Sequence, residues 1–344
     1  MEKILVVGGA GYIGSHMSKA LIAAGKDLLV LDNLSTGYRE LISGGTFIHG
    51  DLGDSVLLDR IFKDHNISAV MHFAGFSLAG ESIRQPLKYY HNNITETLAI
   101  IKTMVRHSVL RFIFSSTAAV YGQPEKIPIQ EDHPCRPTNP YGTSKLCIEQ
   151  VLADCDRAHG LKSVCLRYFN AAGADSCGMI GEMHDPETHL IPLVLKCALA
   201  QKPIEIFGTD YATPDGTCIR DYVHVADLAQ AHLLALEALL GGSGSRTYNL
   251  GIGYGYSVRQ VIDLAGNVTG IEIPTIDKHR RPGDPAILVA DSGRIRRELN
   301  WAPLYEDLEK IIASAWNWHS RRAELRRVDA ADIAGGSYPG KTLP

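Results

Sequence analysis

Short apolar, β-branched runs alternate with helix-length segments through the first half of this chain, and that alternation constrains the fold more than any other feature. Residues 3–7 (KILVV) run into a glycine turn, and residues 13–24 then carry apolar side chains at helical spacing as far as Gly25. Strand patterns recur at 28–31, 69–73, 111–115 and 163–168, the last after a helix that begins near Tyr141. Strands separated by helices join through right-handed crossovers, which predicts a parallel sheet covered by helices on both faces, a doubly wound α/β fold.

Beyond about Ala174 the rhythm breaks into loops rich in Gly, Pro and Asp, with shorter elements at 190–200 and 258–269, which predicts a smaller α/β domain laid over the sheet. Residues 220–240, a strand at 222–225 followed by an Ala/Leu helix, read as a return to the first domain. Arginines followed by Gly335, Gly336, Pro339 and Gly340 mark a tail that is surface-bound or partly disordered. A net charge of -4 gives no basic face for nucleic acid, and no apolar stretch approaches the roughly 18 residues of a spanning helix. The seven cysteines are scattered singly without C-x-x-C, which predicts reduced thiols in a cytoplasmic protein.

Gly8, Gly11 and Gly14 form G-x-x-G-x-x-G between the first strand and the first helix, the context in which a backbone approaches a pyrophosphate at a helix N-terminus and the fold is of the Rossmann type. Tyr12 and Ile13 lie inside this turn. Asp32 ends the second strand, where a carboxylate accepts from a ribose 2′-hydroxyl and repels a 2′-phosphate, so NAD is favoured over NADP. Asp51 follows a short apolar run and reads either as an adenine contact or as a turn residue. Phe73-Ala74-Gly75 ends the next strand at the sheet's carboxyl edge, where ligands of such sheets collect.

Tyr141 and Lys145 are four apart and share a helix face, and of 14 tyrosines only this one has lysine at that offset. Ser115-Ser116-Thr117 brings hydroxyls to the same sheet edge. A phenol with a pKa of about 10 is a poor base at neutral pH, but an adjacent ammonium and a nicotinamide cation favour the phenolate. The expected roles are Tyr141 as general base, Thr117 as hydrogen-bond partner of the reacting oxygen, and Lys145 on the nicotinamide ribose.

The chain resembles the UDP-glucose 4-epimerase family of the extended short-chain dehydrogenase/reductases from residue 1 to about His319. The resemblance is carried by VVGGAGYIGSH, LDNLSTG, HFAG, PLKYYHNN, RFIFSSTAAVYG, NPYGTSKL, LRYFNAAGA, THLIP, FGTDYATPDGTCIRDYVHVADLA, YNLG and RRPGDPA. It implies an isomerase of galactose metabolism with an NAD-binding domain over 1–173 and 218–255, a nucleotide-sugar domain over 174–217 and 256–320, and a tail over 321–344. Carried onto matching positions, it implies that Gly8, Gly11, Gly14, Asp32, Asn33, Asp51, Leu52, Phe73, Ala74, Asn92, Ser115, Lys145 and Tyr168 line NAD. Asn170, Leu190, Phe207, Arg220, Arg281, Asp284 and Leu288 would hold the UDP-sugar, with the arginines on diphosphate. It also implies a homodimer built on the helices beginning near Leu87 and Tyr141.

Three positions depart from many relatives. Thr117 stands where serine is common, Ser77 where some carry lysine near the cofactor, and His189 where some carry asparagine; His189 reads either as a uridine contact or as packing. Ala118-Ala119 follow Thr117, where resembling 4,6-dehydratases place an Asp-Glu pair, so the acid and base for dehydration are missing. A net dehydrogenase, a UDP-N-acetylglucosamine or UDP-xylose 4-epimerase, and a non-enzymatic NAD sensor stay open as alternatives. No metal is expected, because His184, His189, His224 and His232 show no ligand grouping in sequence.

Overall fold

The computed structural model describes residues 2–281 and 283–335. Six strands alternate with helices through the first half: β1 (Lys3–Val7), α1 (Tyr12–Ala23), β2 (Asp27–Asp32), β3 (Thr46–His49), α2 (Ser55–Asp64), β4 (Ile67–His72), α3 (Ala79–Arg84) and α4 (Pro86–Tyr90). Then follow a π-helical stretch His91–Glu96, α5 (Thr97–Arg106), β5 (Arg111–Thr117), α6 (Pro140–His159) and β6 (Lys162–Tyr168). These six strands and Arg246–Leu250 make one seven-stranded parallel sheet in the order β3, β2, β1, β4, β5, β6, Arg246–Leu250. Strand order reverses between β1 and β4, the crevice in which such sheets bind ligands.

The period-two alternation sorts the strands' side chains between two cores. Ile4, Val6, Leu28, Val30, Ala69 and Met71 face Met17 and Leu21 of α1 and the helix α8 described below, whereas Leu5, Val7, Leu29, Leu31 and Val70 face α2, α5 and α6. Each fully buried side chain of this kind contributes about 1.5–3 kcal/mol, so both faces of the sheet are pinned and its carboxyl edge is rigid.

After β6 come α7 (Leu190–Ala200), α8 (Val225–Leu240) and α9 (Val258–Thr269). Helices α7 and α9 and the last helix, Leu308–Gly335, close a third core over Ile204, Ile206 and Tyr222. The strand expected at 222–225 forms over Tyr222–His224 but does not enter the large sheet; it pairs with Asn170–Ala172, and the seventh place is taken by Arg246–Leu250. Three residues are too few to span the sheet, whereas the five of Arg246–Leu250 run fully alongside β6. The segment marked as a tail is helical as far as Gly335, because no Gly or Pro interrupts residues 308–334. Residues 336–344, with the Gly/Pro-rich end, lie outside the described residues. Among the described residues no helix is long and apolar enough to cross a membrane, and all seven cysteines are free thiols.

Candidate active site

The carboxyl edge of the sheet opens into a cavity of about 760 Å³, within the usual range for ligand sites. One wall is the glycine turn. Gly8 has φ +76, and a Cβ there would strike the backbone of Ala74; a Cβ on Gly14 would strike the Gly8 carbonyl. Only glycine permits this approach of turn to helix. Gly11 is the N-cap of α1 and supplies no side-chain cap, so the first N–H groups of the helix face the cavity side, as an anion site requires. Asp32 lies just beneath: its carboxylate accepts from Ala10 N and Leu34 N, each at 2.8 Å, and burial raises its pKa. Asn33 donates to Asp51 at 2.8 Å, and the segment Leu34 to Tyr38 continues the wall.

The opposite wall carries the chemistry-bearing side chains. Asn139 caps α6 by accepting from Gly142 N at 2.9 Å, and Pro140 sets its first turn, which fixes Tyr141 and Lys145 on the cavity face. Thr117, at the end of β5, lines the cavity with Tyr141. Burial pushes the Tyr141 phenol up, and its hydrogen bond with Thr117 pulls the other way. Lys145 Nζ donates to the Ser115 carbonyl at 2.9 Å and stands 4.9 Å from the Phe114 ring centre. Burial lowers its pKa to about 8, against the opposing pull of Glu149. The Lys145 ammonium is thus engaged by a backbone carbonyl, and the net shift of the Tyr141 phenol is upward. Tyr168 and Ser115 are joined through their hydroxyls.

Most residues singled out in the sequence line this one cavity: Gly8, Gly11, Tyr12, Ile13, Gly14, Phe73, Gly75, Ser115, Thr117, Tyr141, Lys145, Tyr168, Asn170, His189, Leu190, Arg220 and Leu288, with Ser77 beside them. Others do not. Leu52 is buried in the core against α2, and Ala74 packs against that core. Asn92 turns away and donates to Glu96, while the adjacent Asn93 bonds Phe76 N, Phe76 O and the Ser144 hydroxyl. The π-helical stretch changes which of two neighbouring asparagines faces inward, a shift that the sequence pattern HNN does not display. Arg220 pairs with Asp284, and Arg281 stacks on Phe207 at 4.1 Å, so these four expected sugar-nucleotide residues form two pairs. Only Arg220 of the four lines the cavity itself. The cavity residues Tyr222 and Pro192 had no signal beyond their place in the motifs, and Tyr38 lies one residue past LDNLSTG.

Histidine grouping also differs from the sequence reading. His184 and His189 come together with Glu182 and Glu187, while His232 is packed between Phe73 and Tyr168 and His224 against Tyr305. The spacing E-x-H-x-x-E-x-H was the available signal.

Residues 4–251 match the model of the NAD dependent epimerase/dehydratase family. The UDP-glucose 4-epimerase of Halalkalibacterium halodurans is 54% identical over 317 residues, 92% of this chain and 95% of that protein. The chain belongs to this family. Its similarity to solved epimerases extends over the whole fold. A UDP-glucose 4-epimerase from Bifidobacterium longum in complex with NAD+ and UDP superposes with a TM-score of 0.89 at 39% identity, over 93% of this chain and 99% of that one. The UDP-Glc/GlcNAc 4-epimerase of Campylobacter jejuni gives a TM-score of 0.82 at 41% identity, over 93% and 100%.

Proposed function

We propose that the chain interconverts UDP-glucose and UDP-galactose through a 4-keto sugar, with Tyr141 as the general base at the 4-oxygen. The chain is an NAD-dependent epimerase of UDP-sugars, and thus an isomerase. The observation that carries the assignment of the base is the meeting of Tyr141 and Thr117 in the cavity that the glycine turn walls.

The residues present suit NAD: a turn that only glycine permits, open helix N–H groups for a pyrophosphate, and the Asp32 carboxylate for a ribose hydroxyl. When bound, NAD supplies a hydride acceptor that returns the hydride, and a positive charge that favours the phenolate. Tyr141 takes the 4-hydroxyl proton and gives it back after the keto sugar has turned its other face. Thr117 bonds the 4-oxygen and keeps the proton's path short. Arg220, held by Asp284, faces the diphosphate, and Leu288 borders the sugar. Ala118 and Ala119, which line the cavity beside Thr117, offer no acid or base, which disfavours a dehydratase. We place the protein in the cytoplasm, in keeping with its free thiols, as a homodimer of chains with an NAD-binding and a nucleotide-sugar domain.

The test is turnover of UDP-galactose followed by proton NMR and by absorbance at the reduced-nicotinamide band. Epimer interconversion without NADH accumulation is expected; stoichiometric NADH would mean a net dehydrogenase, and epimerisation of only UDP-N-acetylglucosamine or UDP-xylose would move the substrate assignment.

A further inference from the structure

Glu182, His184, Glu187 and His189 lie in the segment that leads into α7, and one ligand atom from each falls within 4.8 Å of all the others. Both imidazoles direct Nδ1 at the same carboxylate oxygen of Glu182, His184 from 3.1 Å and His189 from closer. Glu187 Oε1 is 3.7 Å from His184 Nδ1. The two carboxylates are 4% and 3% exposed, and Oε2 of Glu187 has no hydrogen-bond partner. The cation nearest to that oxygen is the half-exposed Lys196 ammonium, 3.6 Å away.

Two buried carboxylates need two compensating positive charges. Protons on both imidazoles would supply them, but would set two like charges in rings whose centres are 5.3 Å apart. A doubly charged ion supplies the same charge with neutral imidazoles and takes both Nδ1 lone pairs at once. Two imidazoles with two carboxylates are a borderline donor set, suited to zinc and its neighbours; calcium and magnesium prefer oxygen alone.

We propose that residues 182–189 bind one divalent transition-metal ion, zinc foremost, through Glu182, His184, Glu187 and His189. Ligand bonds of about 2.0–2.2 Å at tetrahedral angles put ligand atoms about 3.4 Å apart, so the cluster contracts by no more than about 1.4 Å on binding. Four protein ligands leave no open position, so the ion is structural rather than a Lewis acid for the sugar. It ties together three parts of the fold. The Glu182 carbonyl accepts from Trp318 Nε1 at 3.0 Å, which ties the segment to the last helix. His189 is the N-cap residue of α7, and His184 meets the Tyr12 ring edge-on at 6.4 Å, beside the glycine turn. The inference rests on this cluster alone and is independent of the sugar that the enzyme turns over.

The experiment uses the untagged, NAD-loaded chain, stripped of metal with a chelator and then titrated with Zn2+ against a chromogenic competitor. One ion per chain with a Kd below about 1 µM is expected, with a rise in Tm on zinc addition. Co2+ should give the intense visible bands of a tetrahedral site without the near-ultraviolet thiolate band that a cysteine site would show. His184→Ala with His189→Ala should weaken Zn2+ binding at least 100-fold, a loss of about 2.7 kcal/mol. Glu187→Gln, which keeps the shape of the side chain, should weaken it too. Absence of saturable binding below about 100 µM, unchanged affinity in the Glu187→Gln chain, or a thiolate band would each overturn the proposal; the wild-type cobalt spectrum decides even if the double variant fails to fold.

Discussion

Glu149 lies one helical turn beyond Lys145 on α6, and it is the buried anion that opposes the desolvation of that lysine's ammonium. The same carboxylate accepts from the Ser116 hydroxyl and from Arg167 Nε at 3.0 Å, and Arg167 in turn donates to the Tyr121 hydroxyl at 3.0 Å. Strand, helix and Lys145 thus share one buried charge. With its pKa lowered to about 8, Lys145 loses its proton as pH rises through that value, and kcat/KM should fall above pH 8. Glu149→Gln removes the opposing pull, so the alkaline limb should move to lower pH and, with Arg167 left unpaired, stability should drop by about 3–5 kcal/mol. pH–rate profiles and urea unfolding of both proteins check this; a limb that stays in place in the variant would detach Glu149 from Lys145.

Tyr141→Phe removes the hydroxyl proposed as the base but keeps the ring that lines the cavity wall. We expect kcat to fall by about 10² or more with normal NAD content and an unchanged Tm. Near-full activity in a correctly loaded variant would remove Tyr141 from the mechanism.

The parallel sheet was legible because continuous apolar runs such as ILVV at 4–7 are set by burial on both faces, a property of the residues themselves. Tyr141 and Lys145 were legible for a similar reason, since helical spacing alone puts them on one face. Asn92 lies off the cavity because the π-helical turn packs Asn93 against α6, which no local pattern encodes. Leu52 lies in the core beside Leu57 and Leu58, a placement that sequence alone does not show, since an apolar residue after Asp51 suits a core and a cofactor contact equally. The pairing of Arg220 with Asp284, 64 positions apart, depends on a register between short strands that sequence cannot supply.

Two histidines in the core predict the acid limit of stability. His72 is packed against Phe112 and Phe114, with Nδ1 unpartnered; His232 donates through Nδ1 to Leu228 O, and its Nε2 is unpartnered. Burial lowers their pKa values to about 3 and about 4. Between the ordinary histidine value, 6.5, and these values the unfolded chain binds protons that the folded chain refuses, so stability falls as pH falls through that window. Each group steepens the loss by up to about 1.4 kcal/mol per pH unit. Urea midpoints from pH 7 to pH 4 should show it, with a shallower slope in His72→Leu; a slope equal to wild type would assign the acid sensitivity elsewhere.

On α3 and α4, Ile83 is 55% and Leu87 80% exposed, unusual for large apolar side chains, and both helices pack beside α6. We expect this face to be covered in a homodimer built as a four-helix bundle. Sedimentation should report a dimer at micromolar concentration, and Leu87→Glu should shift it towards monomer. A wild-type monomer at that concentration would rule the arrangement out.

Substrate breadth should turn on Leu288. Its strand, Ile287–Leu288, runs parallel to Ile219–Arg220, with Leu288 opposite Arg220, and Leu288 lines the cavity that holds Tyr141. The same side chain packs at the edge of the small core around Val120 and Phe169, so it is both a wall and a filler. In the resembling family a tyrosine at this place belongs to enzymes restricted to glucose and galactose. Leucine is shorter and lacks the hydroxyl, which leaves room for a 2-acetamido group. Overpacking by a ring costs about 1–3 kcal/mol, so discrimination of about 5- to 150-fold hangs on this position. We expect UDP-N-acetylglucosamine to be epimerised at a measurable rate by the wild type, and Leu288→Tyr to abolish that activity while sparing UDP-galactose. Proton NMR of both reactions distinguishes the outcomes: equal loss on the two sugars would mean that tyrosine disturbs the wall generally, and a wild type inert to the N-acetyl sugar would mean that another residue fills the space.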